Sequence, residues 1–592
     1  MFQNYQLICS LVLIINYFRT ILPNIFQHMR PKLLFLLFLT SLQSGFSQSA
    51  NSAISQISDA FLERIEVKSG KLANSFHANV KPFSREQIGD FLAEIDTSTF
   101  LKFSKVDRRN IEYLQIDNWE YISKNQIIET KSKKAILKHL YRIKSDMYHV
   151  QNDDYDIHVS PVLNVGLGTN SAHGNLPSKS TFANTRGVEI RGKINKKLGF
   201  YTMVTDNQSS STNFLVNYYK IYEGYPYQSF VKITNDNFDL LQGDYFSALG
   251  YFAFKPIKNL MMTFGHDKNF IGSGIRSMVL SDFSAPYLQL KTDLRIGRLQ
   301  YLSILGQMTN LQVINPPFSQ ITNAPKYMAF HHLNINLTKT LNVGLFESVM
   351  YGNRKTGFEL NYLNPVIFYR FVEGFLGSSD NAMVGADFKL NLFKTFTAYG
   401  QYFLDEYNSK EFKKEGWWSK KYAWQLGAKY FDVFKIKNLD FQYELNRARP
   451  YMYSHFTNST NYVNYNLPIA HPLGANFKED IISVKYQPHA KIFLSFVAMN
   501  ALKGEDKDSS NYGGNVKINN RIGRISEYDN YIGQGFQNRI KNTEMLASVM
   551  IKHNMFIDFM YQRRKDSYFK EETESIYSFG LRWNMVRRPL LF

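Results

Sequence analysis

From about Tyr155 onward, apolar and polar residues alternate with a period of two. In VEIRGKI, Val188, Ile190 and Ile194 alternate with Glu189, Arg191 and Lys193. In YLQLKTDLRI, Leu288, Leu290, Leu294 and Ile296 alternate with Gln289, Lys291, Asp293 and Arg295. LDFQYELN sets Leu439, Phe441, Tyr443 and Leu445 against Asp440, Gln442, Glu444 and Asn446. SIYSFGLRWNM sets Tyr577, Phe579, Leu581 and Trp583 against Ser578, Gly580, Arg582 and Asn584. YAWQLGAKYF, TEMLASVMIK and FIDFMYQRR repeat the pattern. Successive side chains of a strand point to opposite faces, so each run has one apolar and one polar face. The runs are about 9–11 residues long, the length that crosses a bilayer at a barrel's tilt. Strands of a soluble sandwich are nearer 5–6 residues.

Residues 48–150 read differently. Ser84 precedes Gln87 at capping-box spacing, and Ile88, Phe91, Leu92 and Ile95 follow at helical spacing. VDRRNIEYLQIDNWEYIS and KKAILKHLYRIKSDMYHV also space their apolar residues as helices do. The expectation is a small helical element on the periplasmic side, ahead of an all-β transmembrane antiparallel barrel over residues 155–592. At roughly 24 residues per strand and connection the barrel holds about 18 strands, with 16 the alternative. Segments 206–224, 405–420 and 502–535, rich in Asn, Ser, Lys, Gly and Asp, read as long external loops. An open edge in lipid leaves amides unsatisfied at several kcal/mol each, so the last strand must pair with the first. The C-terminal Phe592 after an alternating strand resembles an outer-membrane recognition signal.

The N-terminus carries an export signal within residues 1–47. Arg30 and Lys32 precede the apolar Leu33–Leu39, and small residues flank a cleavage site near Ser47/Gln48. Met29 reads as the true start, which makes the apolar stretch ahead of it a start-site artefact. The single cysteine, Cys9, falls in this leader, so the mature chain has no disulfide, thiolate metal site or cysteine nucleophile. Of 69 basic residues, three (Arg19, Arg30 and Lys32) lie in the leader, leaving 66 against 50 acids, a net +16. An exported basic barrel in the outer membrane of a Gram-negative-type cell meets lipid headgroups and acidic polysaccharide, not nucleic acid.

GHDKNFIGSGIRSMVLSDFSAP, residues 265–286, concentrates charge and glycine. It lacks the Lys-Ser/Thr pair and following helix of a phosphate loop. His266, Asp267 and nearby serines are hydrolase residue types, but no G-x-S-x-G elbow fixes a nucleophile. Neither a metal nor another cofactor is expected. Gly272 and Gly274 suit a tight inward fold.

This segment resembles the signature of the Wzi-type capsule-assembly family, closest to its gliding-motility RemB branch. TRGVEIRGKI, YMAFHHLNINL, GLFESVMYGN, ELNYLNPVIFYRFVE, GSSDNAMVGADFK, YGQYFLDE, ELNRARPYMYSH and AHPLGANF resemble it in the same order. The resemblance runs from about residue 75 to the C-terminus. It implies an outer-membrane barrel of about 18 strands with a small periplasmic helical element and no enzyme activity. It further implies a role in gliding or cell-surface machinery, with other envelope proteins as partners. The alternative it carries is a lectin that attaches exported polysaccharide. A porin for anionic solutes, suggested by the charge, is the second alternative.

A sugar-binding surface needs aromatic faces and planar polar groups. Arg447, Arg449, Tyr451 and Tyr453 supply these, as do Tyr369 with Arg370, and Trp417 with Trp418. The competing reading puts Trp and Tyr in an aromatic girdle and Arg447 with Glu444 in a structural lumen network. Asp405 and Glu406 read as a strand-end charge pair. Residues 265–286 are expected to cross or fill the lumen through a polar network. It comprises His266, Asp267, Lys268, Arg276 and Asp282, with Glu347, Glu359 and Asn381 as wall partners.

Overall fold

The computed structural model describes residues 49–592, apart from 55–56, 96, 123–128, 133–138, 174–178, 196, 234–241, 315–319, 355–356, 365–367, 378–379, 407–410, 412, 508 and 569–571. The expected export signal, its cleavage site and Cys9 lie outside the described residues. Eighteen antiparallel strands form one closed barrel. They are β1 (Tyr155–His173), β2 (Lys179–Ile194), β3 (Leu198–Ser210), β4 (Gln242–Ile257), β5 (Leu260–Asp267) and β6 (Tyr287–Ile296). Next come β7 (Leu299–Ile314), β8 (Gln320–Asn336), β9 (Leu341–Gly352), β10 (Asn381–Leu392), β11 (Phe396–Leu404) and β12 (Tyr422–Phe431). The last are β13 (Leu439–Ala448), β14 (Phe477–His489), β15 (Ile492–Glu505), β16 (Phe536–Lys552), β17 (Met555–Asp566) and β18 (Glu572–Trp583). β18 pairs with β1 down to Trp583↔Leu163, so no lipid-facing edge is left along this seam.

The alternation sorts as the pattern requires. Phe264, Ile296, Leu345, Leu426, Phe441, Phe559 and Phe579 are exposed on the outer wall, while Gln289, Lys291, Glu444, Asn446 and Asn542 are buried within. One rim has tight connections such as Gly297–Arg298, Ala490–Lys491 and His553–Asn554; the other has long ones, 353–380, 449–476 and 506–535 among them. Short turns of outer-membrane barrels face the periplasm and long loops face out.

Helices α1 (Ile57–Ser69), α2 (Arg85–Ala93), α3 (Thr97–Lys102) and α4 (Lys105–Asp117) pack at the short-turn rim. The expected capping box at Ser84 and Gln87 starts α2, and a second, Ser104 with Asp107, starts α4. Arg64 of α1 bonds Asp107 at 2.7 Å and also reaches Asp432, just after β12, and Asp440 at the start of β13. Burial pushes the Asp107 carboxyl up, but Arg64 and Lys68 outweigh it and hold it at about 2.

Two expectations need correction. The described part of KKAILKHLYRIKSDMYHV holds no helix; Tyr148–Gln151 is a strand paired with β1 from Val159 to Asp156. β18 has ended there, so this strand covers an edge of β1 that would otherwise be open. The C-terminal Phe592 does not close the last strand either. β18 stops at Trp583 and the tail turns into the lumen, where Leu591 and Phe592 are buried.

Candidate functional site

The lumen is packed from both ends. From the long-loop rim, residues 268–286 fold inward and bury Met278, Val279, Leu280 and Phe283. Around them pack inward wall residues such as Ile304, Phe330, Met350 and Phe403, and Phe214 and Leu215 of α5 (Asn213–Tyr222). From the short-turn rim, Val80–Lys81 reaches up and pairs antiparallel with Ile271 and Phe270. Phe592 closes the cluster, its ring 5.1 Å from that of Phe283 and 5.0 Å from that of Tyr218.

Polar wall residues hold the backbone of this plug. Gln401 donates to the Ile271 carbonyl at 2.8 Å and accepts from Met278 N–H at 2.8 Å. Glu444 accepts from Ile275 N–H (2.7 Å) and Arg276 N–H (3.0 Å). A Cβ at Gly274 would stand 2.6 Å from Glu444 Oε2, so only glycine lets the plug lie this close. Arg276 pairs with Glu479 at 3.1 Å and also donates to the Leu591 carbonyl. Glu479 is shared with His471 at 2.8 Å.

The structure therefore rearranges the expected network. Asp267 and Lys268 are buried, and Lys268 donates to the carbonyls of Tyr227 and Asp282 at 3.0 Å each. Arg276 meets Glu444 and Glu479 instead of Asp282. His266 faces outward, because it is one residue out of step with the inward Gly265 and Asp267. Glu347 is also on the outer wall, where it accepts from Tyr369 and Arg370 N–H at the start of α6 (Tyr369–Leu376). Glu359 caps a turn in the same loop through Asn361. Asn381 does face inward and donates to the Thr460 carbonyl at 3.0 Å.

The expected sugar contacts divide in a similar way. Arg447 points outward from β13 and pairs with Asp480 at 2.6 Å, so it does not share a face with Glu444. Tyr453 is buried, with its hydroxyl on the Met278 carbonyl at 2.7 Å. Tyr369 is buried and Arg370 exposed, both on the barrel's outside. Arg449 and Tyr451 are buried beneath Trp417 and Trp418, which remain partly accessible.

Those two tryptophans sit where two long loops clamp together. Arg449 is the bolt, donating to Trp417 O (3.2 Å) and Lys420 O (3.2 Å) of one loop and Asn530 O (2.8 Å) of the other. Trp418 N–H donates to Glu527 O at 2.9 Å, and Asn530 N–H to Gly416 O at 2.9 Å. Gly416 has φ +66°, and a Cβ there would meet Asp529 N at 2.5 Å. Above this clamp Arg524 lies 3.9 Å over the Trp418 ring, with exposed Ile522, Ile525, Tyr528 and Tyr531 around it. Sequence reading missed the 521–531 half, since only the fold brings it beside Trp417. Below the rim, Lys421 bridges Asp405 (3.2 Å) and Glu406 (3.1 Å), a structural charge cluster.

Among the described residues one group has metal-type donors: His149, Asp156 and His158, at the short-turn rim. Asp156 bonds His149 at 2.8 Å and lies 3.1 Å from His158, and Asp146 is held by Arg191 at 2.9 Å. Both ring nitrogens of His158 are buried without a hydrogen-bond partner among the described residues, so this donor set is not fully satisfied by its neighbours.

Residues 168–567 match the sequence profile of the family described as capsule assembly protein Wzi. Escherichia coli Wzi, described as an outer-membrane protein of group 1 capsule assembly and a carbohydrate-binding β-barrel, superposes with TM-score 0.52 at 12% identity. The match covers 90% of this chain and 100% of that one. Acinetobacter baumannii OccAB4 (TM-score 0.39, 9% identity, 73% of this chain and 98% of that one) and Pseudomonas aeruginosa OprD (0.37, 12%, 72% and 94%) are more distant. A search of curated protein sequences gives no significant match. The profile spans well over half of the chain, and the closed barrel agrees with it: the protein belongs to the Wzi capsule-assembly family of outer-membrane β-barrels.

Proposed function

We propose that the protein is a non-enzymatic surface lectin that holds exported polysaccharide on the clamped outer rim. The observation that carries this is the rim itself: Trp417, Trp418, Tyr528 and Tyr531 stand at the mouth of a barrel whose lumen carries an inward-folded plug. Aromatic faces stack on sugar rings, and guanidinium groups add planar hydrogen bonding. The rim's ion pairs are largely internal, Lys414 with Glu411 at 2.9 Å and Arg524 with Glu527, so recognition rests on stacking more than on net charge. Family membership and the likeness to a carbohydrate-binding barrel support the same reading. A packed lumen speaks against a porin. A role in gliding rests on sequence resemblance alone, and no feature of the rim favours it.

The test is binding of the cell's own capsular polysaccharide to detergent-solubilised protein. Loss of two stacking rings at about 0.5–1.5 kcal/mol each predicts roughly tenfold or more weakening for Trp417→Ala/Trp418→Ala. Unchanged affinity in a double variant with native heat-modifiable mobility overturns the site. Gene deletion should strip cell-bound capsule; intact capsule with lost colony spreading overturns the lectin reading.

A further inference from the structure

The loop between β9 and β10 does not stand up into solvent. It folds back along the outside of the barrel wall and lays α6 against it. Leu305, Tyr327, Ala329, Val349 and Tyr351 of the outer wall are buried there against Tyr362, Tyr369 and Val372 of the loop. This patch of wall is unsuited to lipid. Glu347 and His331 project from it, and an uncovered charge on a barrel's lipid face is destabilising. The start of α6 covers both. Tyr369 N–H (2.7 Å) and Arg370 N–H (3.1 Å) donate to the Glu347 carboxylate, and the Tyr369 ring lies 3.9 Å from His331.

Among the described residues, the opposite face of the helix is left uncovered. Phe368, Phe371 and Phe375 are 65%, 62% and 80% exposed, and Leu360 and Leu363 beside them 69% and 44%. Buried Tyr369, Val372 and Glu373 mark the inner side, so YRFVEGFL is amphipathic with its phenylalanines outward. Five large apolar side chains in one patch need a partner. The neighbouring wall names it. Val384 is the direct cross-strand partner of Glu347, Leu345 is two residues along β9, and both belong to the exposed apolar belt. The phenylalanines continue that belt.

We propose that α6 is an interfacial helix whose Phe368, Phe371 and Phe375 insert among the acyl chains of the outer leaflet. It repaves a polar patch of barrel wall with a lipid-compatible surface. Arg370 sits at its edge, 76% exposed and paired with Glu373 at 2.6 Å, and serves as the headgroup-level anchor. The loop thereby fixes the barrel's depth and orientation, and it does so independently of what the outer rim binds.

The test uses the absence of cysteine outside the leader. Single variants Phe368→Cys, Phe371→Cys and Phe375→Cys carry a nitroxide label in vesicles of phosphatidylcholine and phosphatidylglycerol. Leu345→Cys serves as the lipid reference and Lys413→Cys as the aqueous one. Heat-modifiable mobility selects folded variants, and three positions allow for one that does not fold. Relaxation by oxygen should exceed relaxation by a water-soluble nickel chelate, with the same sign as at position 345. Relaxation dominated by nickel, as at 413, places the helix in water and overturns the proposal. Low accessibility to both reagents means protein covers the patch, a second copy included, and overturns it equally.

Discussion

Arg276 is the strongest handle on the lumen plug. Its guanidinium is buried, faces Glu479 at 3.1 Å and holds the Leu591 carbonyl, so it joins plug, wall and C-terminal tail. Arg276→Met keeps the stem's packing but leaves Glu479 with only His471 and Asn446 as hydrogen-bond donors. Removing one partner of a buried pair costs about 3–5 kcal/mol. The remaining donors to Glu479 argue for the lower end, and about 3 kcal/mol is roughly a hundredfold in an opening equilibrium. The readout is amide hydrogen exchange of Ile275–Leu280 in micelles, which reports local opening. Exchange there should rise about a hundredfold while the barrel strands stay protected. In Arg276→Met/Glu479→Gln no uncompensated charge remains, so most of the protection should return. Unchanged exchange in the single variant, or a double variant no better than the single, refutes the account of the plug as ion-locked.

Three further outcomes follow from the same contacts. Deleting residues 588–592 removes the Phe592 ring from Phe214, Tyr218 and Phe283, a loss of about 3–5 kcal/mol from the lumen cluster, yet leaves β18 paired with β1. The truncated chain should insert and show heat-modifiable mobility while gaining planar-bilayer conductance; failure to insert would make Phe592 the assembly signal after all. Glu63 pairs with Lys429 at 2.6 Å, and despite the upward push of burial this attraction holds its carboxyl at about 2, as Arg64 and Lys68 do for Asp107. Folded values below the unfolded ones mean that docking of α1 and α4 is fully supported above about pH 4.5 and is lost as pH falls through about 2. Pepsin should spare residues 57–117 near pH 4 and cut them near pH 2, and cleavage already at pH 4 contradicts the assignment. Gly416→Val puts a Cβ into Asp529 at positive φ, so it should unclamp the two loops and weaken polysaccharide binding without altering barrel mobility.

The barrel was legible because lipid enforces strict alternation, and 188–194, 287–296 and 439–448 keep it. The same parity argument places Arg447 beside Phe441 and Tyr443 on the outer wall, away from Glu444; counting by twos from Glu444 was enough to see it. His266 is likewise out of phase with Lys291 across the ladder. The plug was legible as an inward fold from Gly272 and Gly274, but its partners were not. Glu444 and Glu479 lie far along the chain, and only barrel closure brings them to Arg276. The apolar lumen was also hidden. Polar-in alternation holds for a wet channel, whereas Ile304, Phe330 and Phe403 face inward because a plug dries the space they line. Of the helical spacing in KKAILKHLYRIKSDMYHV, the end from Tyr148 is claimed as strand by the edge of β1 beyond β18, where tertiary pairing overrides spacing.

Glu347 shows how a departure from alternation carries information. GLFESVMYG puts a carboxylate in the apolar register between Leu345 and Val349. In lipid such a residue must be paid for by cover, and the cover is the first turn of α6. Sealing follows the same logic from the inside. A lumen that conducted solute would keep its walls polar and its plug loosely held. Here Met278, Val279, Leu280 and Phe283 are buried among inward apolar residues, and the backbone at Ile275–Met278 is bonded to three wall side chains, Gln401, Glu444 and Gln425. If the held plug blocks solute and the rim is the binding surface, as proposed, the polysaccharide assay should find recognition at the clamped loops around Trp417 and Trp418.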